Sequence, residues 1–199
     1  PYVLAATPGL AANTVKELVA LAKAKPGALS YGSSGHASTG HLGGILFELM
    51  AGIRWVHVPY KGAAPALTDL LAGQVQLMFS TMPPSLPQVK AGKLKAIAVT
   101  SAKRSVTTPE LPTIAESGVK GYDARTWYAL WAPAGTPRDI VVRLQQEVAK
   151  AFATPELKEI WRTLGADAGG NTPEEFSHYV EAEVRKWAKV VKSSGARQE

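Results

Sequence analysis

Ala28-Leu-Ser-Tyr-Gly-Ser-Ser-Gly-His-Ala-Ser-Thr-Gly-His-Leu-Gly-Gly-Ile-Leu-Phe-Glu-Leu49 reads as one complete unit of strand, loop and helix. Ala28 to Tyr31 is a brief strand. Gly32 to Gly40 is small and polar, and Leu42, Ile45, Leu46 and Leu49 then recur at the spacing of one helix face up to Gly52. The cycle returns twice downstream: strand Trp55 to Pro59, loop Tyr60 to Ala63, helix to Leu71; strand Val75 to Phe79, loop Ser80 to Pro84, helix to Ala91. Leu94 to Thr100 is a further strand. Upstream, the apolar run Tyr2 to Thr7 ends at Pro8-Gly9. Thr14-Val-Lys-Glu17 then has the form of a helix capping box, and Pro26-Gly27 stops the helix it starts. Short apolar strands alternating with helices imply βαβ crossovers, hence an α/β fold with a mostly parallel sheet flanked by helices on both faces.

The remainder is organised differently. Residues 101–126, with Pro109, Pro112 and Gly118 around one short helix near Thr113 to Glu116, read as a connecting region. Thr126 to Ala132 reads as one more strand. Alternation there puts Trp127 and Trp131 on one face and Tyr128 on the other, with core packing the default for the tryptophans. The last third has three helix starts, Thr136-Pro137, Thr154-Pro155 and Thr172-Pro173, each with Thr as N-cap and Pro at the first helical position. Their intervening sequences do not match, so they are independent helices and not a repeat.

Composition narrows the function classes. The chain has 199 residues, 46% apolar side chains and a net charge of +6 from 22 basic and 16 acidic residues, which excludes disorder. No run of like charges marks a nucleic-acid or membrane arm, and an acidic small ligand suits the surplus better. With no Cys there are no thiol nucleophiles, thiolate metal sites or disulfides. No stretch reaches the length of a membrane span, so direct membrane insertion is not expected. The start at Pro1 carries no basic flank of a signal peptide, and reads as though an upstream segment had been removed.

In an open parallel sheet, ligands bind beyond the carboxyl ends of the strands. Three loops qualify. Gly32 to Gly40 has glycines for close backbone approach, hydroxyls on Ser33, Ser34, Ser38 and Thr39, and a helix start whose free N–H groups attract an anion, a carboxylate above all. Capping of the helix is an equally weighted role for the serines. Tyr60-Lys61-Gly62-Ala63 adds a phenol and a cation, with a solvated surface lysine as the plainer reading of Lys61. Ser80-Thr81-Met82-Pro83-Pro84 adds hydroxyls without charge.

Two motifs fail here. Gly35 to Gly40 has the frame of a phosphate loop, but His41-Leu42 stand where Lys and Ser/Thr must be. Ser34 occupies the nucleophile place of Gly-x-Ser-x-Gly, but His36 replaces the last glycine of the strained elbow, leaving a serine hydrolase as a weak alternative. His36, His41, His57 and His178 lack the His-x3-His spacing, so neither metal nor cofactor is expected, and structural roles suit His41 and His57. No catalytic residues are assigned.

Thr14-Val-Lys-Glu-Leu, Lys23-Ala-Lys-Pro-Gly, Tyr31-Gly-Ser-Ser-Gly, His57-Val-Pro-Tyr-Lys-Gly62, Leu67-Thr-Asp-Leu-Leu-Ala-Gly-Gln-Val75, Ala91-Gly-Lys-Leu, Ala98-Val-Thr-Ser-Ala-Lys-Arg104 and Ala132-Pro-Ala-Gly-Thr-Pro137 together resemble the tripartite tricarboxylate transporter receptors, the Bug-type extracytoplasmic solute-binding proteins. The resemblance runs in order to the Glu183, Trp187 and Gly195 region. It implies a two-lobed, periplasmic binding protein type II-like fold that closes on a small carboxylate or dicarboxylate and passes it to a membrane permease without catalysis. A receptor that senses its ligand for a signalling partner is the alternative. By resemblance the ligand-binding residues are Ser33, Ser34, Gly35, His36, Ser38 and Thr39, then Tyr60, Lys61, Gly62 and Ala63, with Thr81 as a third contact. Family members often carry Asn where His36 stands.

Such receptors are about half again as long, and their Pro-Phe-x-x-Gly-Gly-x-x-Asp loop, the opposite wall of the cleft, has no counterpart in this sequence. The resemblance maps residues 1–96 to the second lobe, 97–126 to a hinge or first-lobe segment, and 127–199 to a return strand and C-terminal helices packing mainly on the second lobe. A half-clamp of this kind is expected to bind weakly and to expose apolar surface.

Overall fold

The computed structural model describes residues 1–166 and 169–194. The Gly195 end of the family resemblance lies outside the described residues. Five strands, β1 (Tyr2–Ala6), β2 (Ser30–Ser33), β3 (Val56–Pro59), β4 (Leu77–Thr81) and β5 (Lys95–Val99), form one sheet in the order β3-β2-β4-β1-β5. Between and after them lie α1 (Val15–Ala24), α2 (Thr39–Ala51), α3 (Ala63–Leu71), α4 (Met82–Lys90), α5 (Arg138–Phe152), α6 (Pro155–Thr163) and α7 (Pro173–Ser194).

The α/β reading holds, with one correction. β2 pairs in parallel with β3 and β4, whereas β1 lies antiparallel to both β4 and β5. Four strands therefore share a direction and β1 opposes them, so the sheet is mixed. Apolar periodicity encodes which face a residue takes but carries no information about strand direction, which is why the sequence did not reveal it.

Both faces of the sheet are buried, as crossover topology requires. Leu4 and Ala6 of β1, with Leu77 and Phe79 of β4, meet α1 through Leu18 and Ala22, and α2 through Ile45, Leu46 and Phe47. Val3 and Ala5, on the alternate face, pack with Met78 against Ala66 and Leu70 of α3. The α1 start is the expected capping device: Thr14 accepts the Glu17 amide at 3.2 Å, and the Glu17 carboxylate accepts the Asn13 amide at 2.7 Å. At its other end α2 stops on Gly52, whose φ of 62° fits the left-handed cap that glycine tolerates best.

Residues 97–126 join this same core. Residues 97–99 complete β5, Val99 bridges Thr113, and Ile114, Val119, Tyr122 and Ala124 are buried with Phe47. Thr113 caps a single turn rather than the expected short helix, accepting the Glu116 amide at 2.9 Å. The strand expected over Thr126 to Ala132 does not form: this segment finds no sheet edge, and Leu130 is 79% exposed. Alternation still sorts its rings. Trp127 and Trp131 both meet Phe176 of α7, while Tyr128 projects into solvent, but the expected core packing of the tryptophans does not occur: without a strand to bury them, Trp131 is 69% exposed and Trp127 37%.

Of the three Thr-Pro starts, Thr154 caps α6, and Thr172 caps α7 by exchanging hydrogen bonds with Glu175. Thr136 does not cap α5. Its hydroxyl turns back to the Pro133 carbonyl, and Pro137 stands at the N-cap. α7 is tied to the segment after β5 by Lys186, whose ammonium donates to the Asp123 carbonyl at 2.9 Å; on the same helix buried Glu183 pairs with Lys186 and accepts from Trp187 Nε1 at 2.8 Å.

Candidate functional site

β3, β2 and β4 are neighbours that run the same way, and each leads into a helix at the same edge of the sheet. The N-termini of α2, α3 and α4 therefore lie along one rim, each with backbone N–H groups that have no partner inside their own helix. The loops touch. The Tyr60 amide donates to the Ser33 carbonyl at 3.0 Å, and a Cβ on Gly32 would stand 3.3 Å from the Tyr60 ring. Gly40 runs so close beneath β4 that its Cβ would sit 3.1 Å from the Phe79 carbonyl. A side chain at 40 would press on a backbone carbonyl, whereas one at 32 would need the Tyr60 ring to give by a few tenths of an ångström.

The predicted residues divide by exposure. Ser33 is fully buried and held internally, with its Oγ 2.9 Å from the Gly35 carbonyl, 3.2 Å from the Gly35 amide and 2.6 Å from His57 Nε2. Ser38 caps α2: it accepts the His41 amide at 3.3 Å and donates to the Gly35 carbonyl at 2.8 Å. Ser34 and His36 are exposed on the rim, with Gly35 and Thr39 half-buried beside them. Thr39 accepts the Thr126 hydroxyl at 3.4 Å. In the second loop Lys61 and Ala63 are exposed, and Gly62, at φ 119°, caps α3 with no side chain. Tyr60 donates to Asp69 at 2.8 Å, and partial burial together with that bond pushes its phenol up to about 12, so it stays neutral.

The third loop is absent as such. Thr81 is the last residue of β4, and Met82 opens α4 at once, because Pro83 and Pro84 fit the first helical turn. Thr81 is exposed at the cap position. Beneath it the buried hydroxyls of Ser80 and Ser85 pair at 2.6 Å.

One constellation was invisible to spacing. His36 from the loop, His41 from the first turn of α2 and His57 from β3 each place a ring nitrogen within 4.8 Å of the others. The rings of His41 and His57 stack at 3.8 Å, and His36 stands edge-on to both at about 5.5 Å. The signal that existed was topological: β3 and β2 pair Tyr31 with His57, which delivers His57 to the loop that follows β2. Burial, reinforced by the two neighbouring imidazoles, pushes His57 down to about 3, and burial with His36 beside it lowers His41, so both rings are neutral at pH 7.

The rim is an open shelf. A concavity of about 460 Å³ lies at the opposite sheet edge between Thr7 to Ala11 and Leu71 to Gln76 and is lined by no charged side chain. Helix N-termini, hydroxyls and a lysine on one shelf can hold an anion. A nucleophile and base in attacking geometry are not assembled around Ser34, which makes no side-chain hydrogen bond among the described residues.

A mixed sheet with helices on both faces is an architecture shared with periplasmic binding proteins. A family model described as the tripartite tricarboxylate transporter family receptor matches residues 1–196, and the chain belongs to that family. Its members are periplasmic solute-binding receptors and not enzymes. An R. palustris protein whose structure was solved with adipate is 41% identical, with a TM-score of 0.81 over 98% of this chain and 66% of that one. MatC from Rhodopseudomonas palustris, solved with bound malate, is 27% identical, with a TM-score of 0.72 over 96% of this chain and 66% of that one. Protein BugT of Bordetella pertussis is 34% identical over 197 residues, 99% of this chain and 60% of its own. The chain thus spans 60–66% of the length of these relatives. No helix among the described residues is long and apolar enough to cross a membrane.

Proposed function

We propose that this chain forms the ligand-gripping lobe of a periplasmic receptor that captures a small carboxylate or dicarboxylate and delivers it, chemically unaltered, to the membrane permease of a tripartite transporter. The observation that carries the reading is the alignment of three helix N-termini on one rim, with Ser34, His36, Thr39, Lys61, Gly62 and Thr81 around them. Adipate and malate in two related structures support a carboxylate as the ligand. A hydrogen bond to a charged group contributes roughly 1.5–3 kcal/mol, so a carboxylate held by the shelf alone gains a few such bonds but remains open to solvent on its far side.

Calorimetry with adipate and malate tests this. Ser34→Ala and Thr39→Ala should each weaken binding by about tenfold or more, the equivalent of one lost charge-assisted bond. Unchanged affinity removes them from the site. The 199-residue chain should also bind more weakly than the longer R. palustris relative solved with adipate, since one wall desolvates only half of a ligand. Equal, tight affinity in both would refute the single-wall argument.

A further inference from the structure

We propose that His36, His41 and His57 form a binding site for a divalent transition-metal ion of the zinc type, with its remaining coordination position open towards the anion-binding rim. Three imidazoles with one free position are a recognised ligand set for zinc, and the spread of 4.8 Å between their nitrogens is within reach of closure. A tetrahedral ion with bonds of about 2.0–2.1 Å holds its ligand nitrogens roughly 3.3 Å apart. His36 supplies most of the movement, being exposed and without a side-chain hydrogen bond among the described residues.

The His57 ring is held from behind. Ser33 Oγ lies 2.6 Å from His57 Nε2 and also 2.9 Å from the Gly35 carbonyl. With the hydroxyl proton given to Gly35, Nε2–H donates to Ser33 and the lone pair of His57 resides on Nδ1, the arrangement by which an outer partner fixes a metal-binding tautomer. Tyr31 packs 5.0 Å from His57, and its hydroxyl donates to the His41 carbonyl at 3.2 Å, so one buried side chain braces both histidines. His41 Nδ1 accepts the Ala37 amide at 3.0 Å, which leaves the ring proton on Nε2, so His41 binds the ion through Nδ1 and must release that amide to do so. Ala37, between two of the histidines, has a φ of 57°, sparsely populated for a residue other than glycine, and this conformation folds the loop back over the rings.

Two stacked imidazoles keep their lone pairs in nearly parallel planes, so an ion shared by His41 and His57 must tilt one ring out of the 14° stack. Capture therefore has a signature of its own: the mutual ring-current shifts of the two histidines change when the ion enters. No carboxylate side chain belongs to the cluster, which leaves the fourth position to water or to a carboxylate brought by a ligand. Only this last ligand rests on the function proposed above.

The test titrates the tag-free 199-residue chain with Co²⁺, reading visible d–d absorption, and with Zn²⁺ in calorimetry. A 1:1 site with the strong absorption of tetrahedral cobalt is expected, and His36→Asn should weaken zinc at least tenfold while the exposed position leaves the fold intact. Ser33→Ala should weaken zinc by about 10–100-fold, as removal of an outer-shell partner does. Malate added to the cobalt form should change the spectrum. Absence of the band, or equal zinc affinity in His36→Asn, overturns the site. A band indifferent to malate and adipate overturns the open position. The proposed function is read separately, by malate and adipate binding to the unsubstituted chain with a chelator present to keep it free of metal.

Discussion

Gly44→Ala should unsettle the rim from beneath. A Cβ on Gly44 would lie 2.7 Å from the Tyr31 hydroxyl and closer still to two ring carbons. The ring cannot swing aside, because Tyr31 is 1% exposed and is packed against Trp55 at 5.0 Å and Phe79 at 6.1 Å. Overpacking of this kind costs about 1–3 kcal/mol. Loss of the Tyr31 bond to the His41 carbonyl adds about 1 kcal/mol. The better helix propensity of Ala returns about 1 kcal/mol. The expected net destabilisation is about 1–3 kcal/mol.

Gly43→Ala is the internal reference. It carries the same propensity gain on the same helix, but its Cβ would stand 3.3 Å from the Tyr122 hydroxyl, a contact that small adjustments relieve. It should remain within about 1 kcal/mol of the parent. Urea unfolding followed by fluorescence, with Trp55 against Tyr31 as the local probe, measures both. Gly44→Ala should also lower zinc affinity, since Tyr31 braces His41 and His57. A Gly44→Ala protein as stable as Gly43→Ala would refute the claim that Tyr31 is locked against α2.

Acid should destabilise the fold through His57. The unfolded ring protonates near 6.5 and the folded one near 3, so between those values the unfolded chain holds more protons and stability falls as pH falls. One group contributes at most about 1.4 kcal/mol per pH unit, and less where solvent screens it; urea titrations of His57→Gln should show a flatter acid limb, and an identical limb would contradict the assignment. Ser85→Ala should cost about 1 kcal/mol by removing the donor to the buried Ser80 hydroxyl, which keeps a longer bond to the Thr81 carbonyl at 3.4 Å, and adding Ser80→Ala should cost less than the sum; strict additivity in unfolding would mean the hydroxyls are not coupled. Glu183→Ala should cost about 1–3 kcal/mol, because the Trp187 indole loses its acceptor and Lys186 its buried counter-charge while keeping the Asp123 carbonyl; a change below about 0.5 kcal/mol would show that Glu183 does not order this turn of α7.

The legible parts of this molecule were those written locally. Thr14, Thr154 and Thr172 announce helix starts because capping is settled within a few residues, and in Gly32 to Gly40 the capping role of Ser38 was legible on the same local ground. The opposed direction of β1 and the failure of Thr126 to Ala132 to pair depend on which sheet edge is free, and no window of sequence contains that. Ser33 and Ser34 are adjacent and chemically alike, yet one is buried against His57 and the other faces solvent, because successive residues at a strand end point to opposite sides. The histidine cluster was missed for the same reason as β1: its members are neighbours only once the parallel pairing of β2 and β3 exists.

The opposed strand also governs the order of assembly. During synthesis β1 emerges roughly 70 residues before β4 and 90 before β5, the two partners between which it is finally inserted. Until Lys95 to Val99 have been made, Tyr2 to Ala6 cannot complete its pairing, and its apolar side chains await both core layers. A nascent chain carrying an apolar strand without neighbours for that interval is a natural client for a chaperone, and slowed translation between α1 and β5 should lengthen its exposure to aggregation.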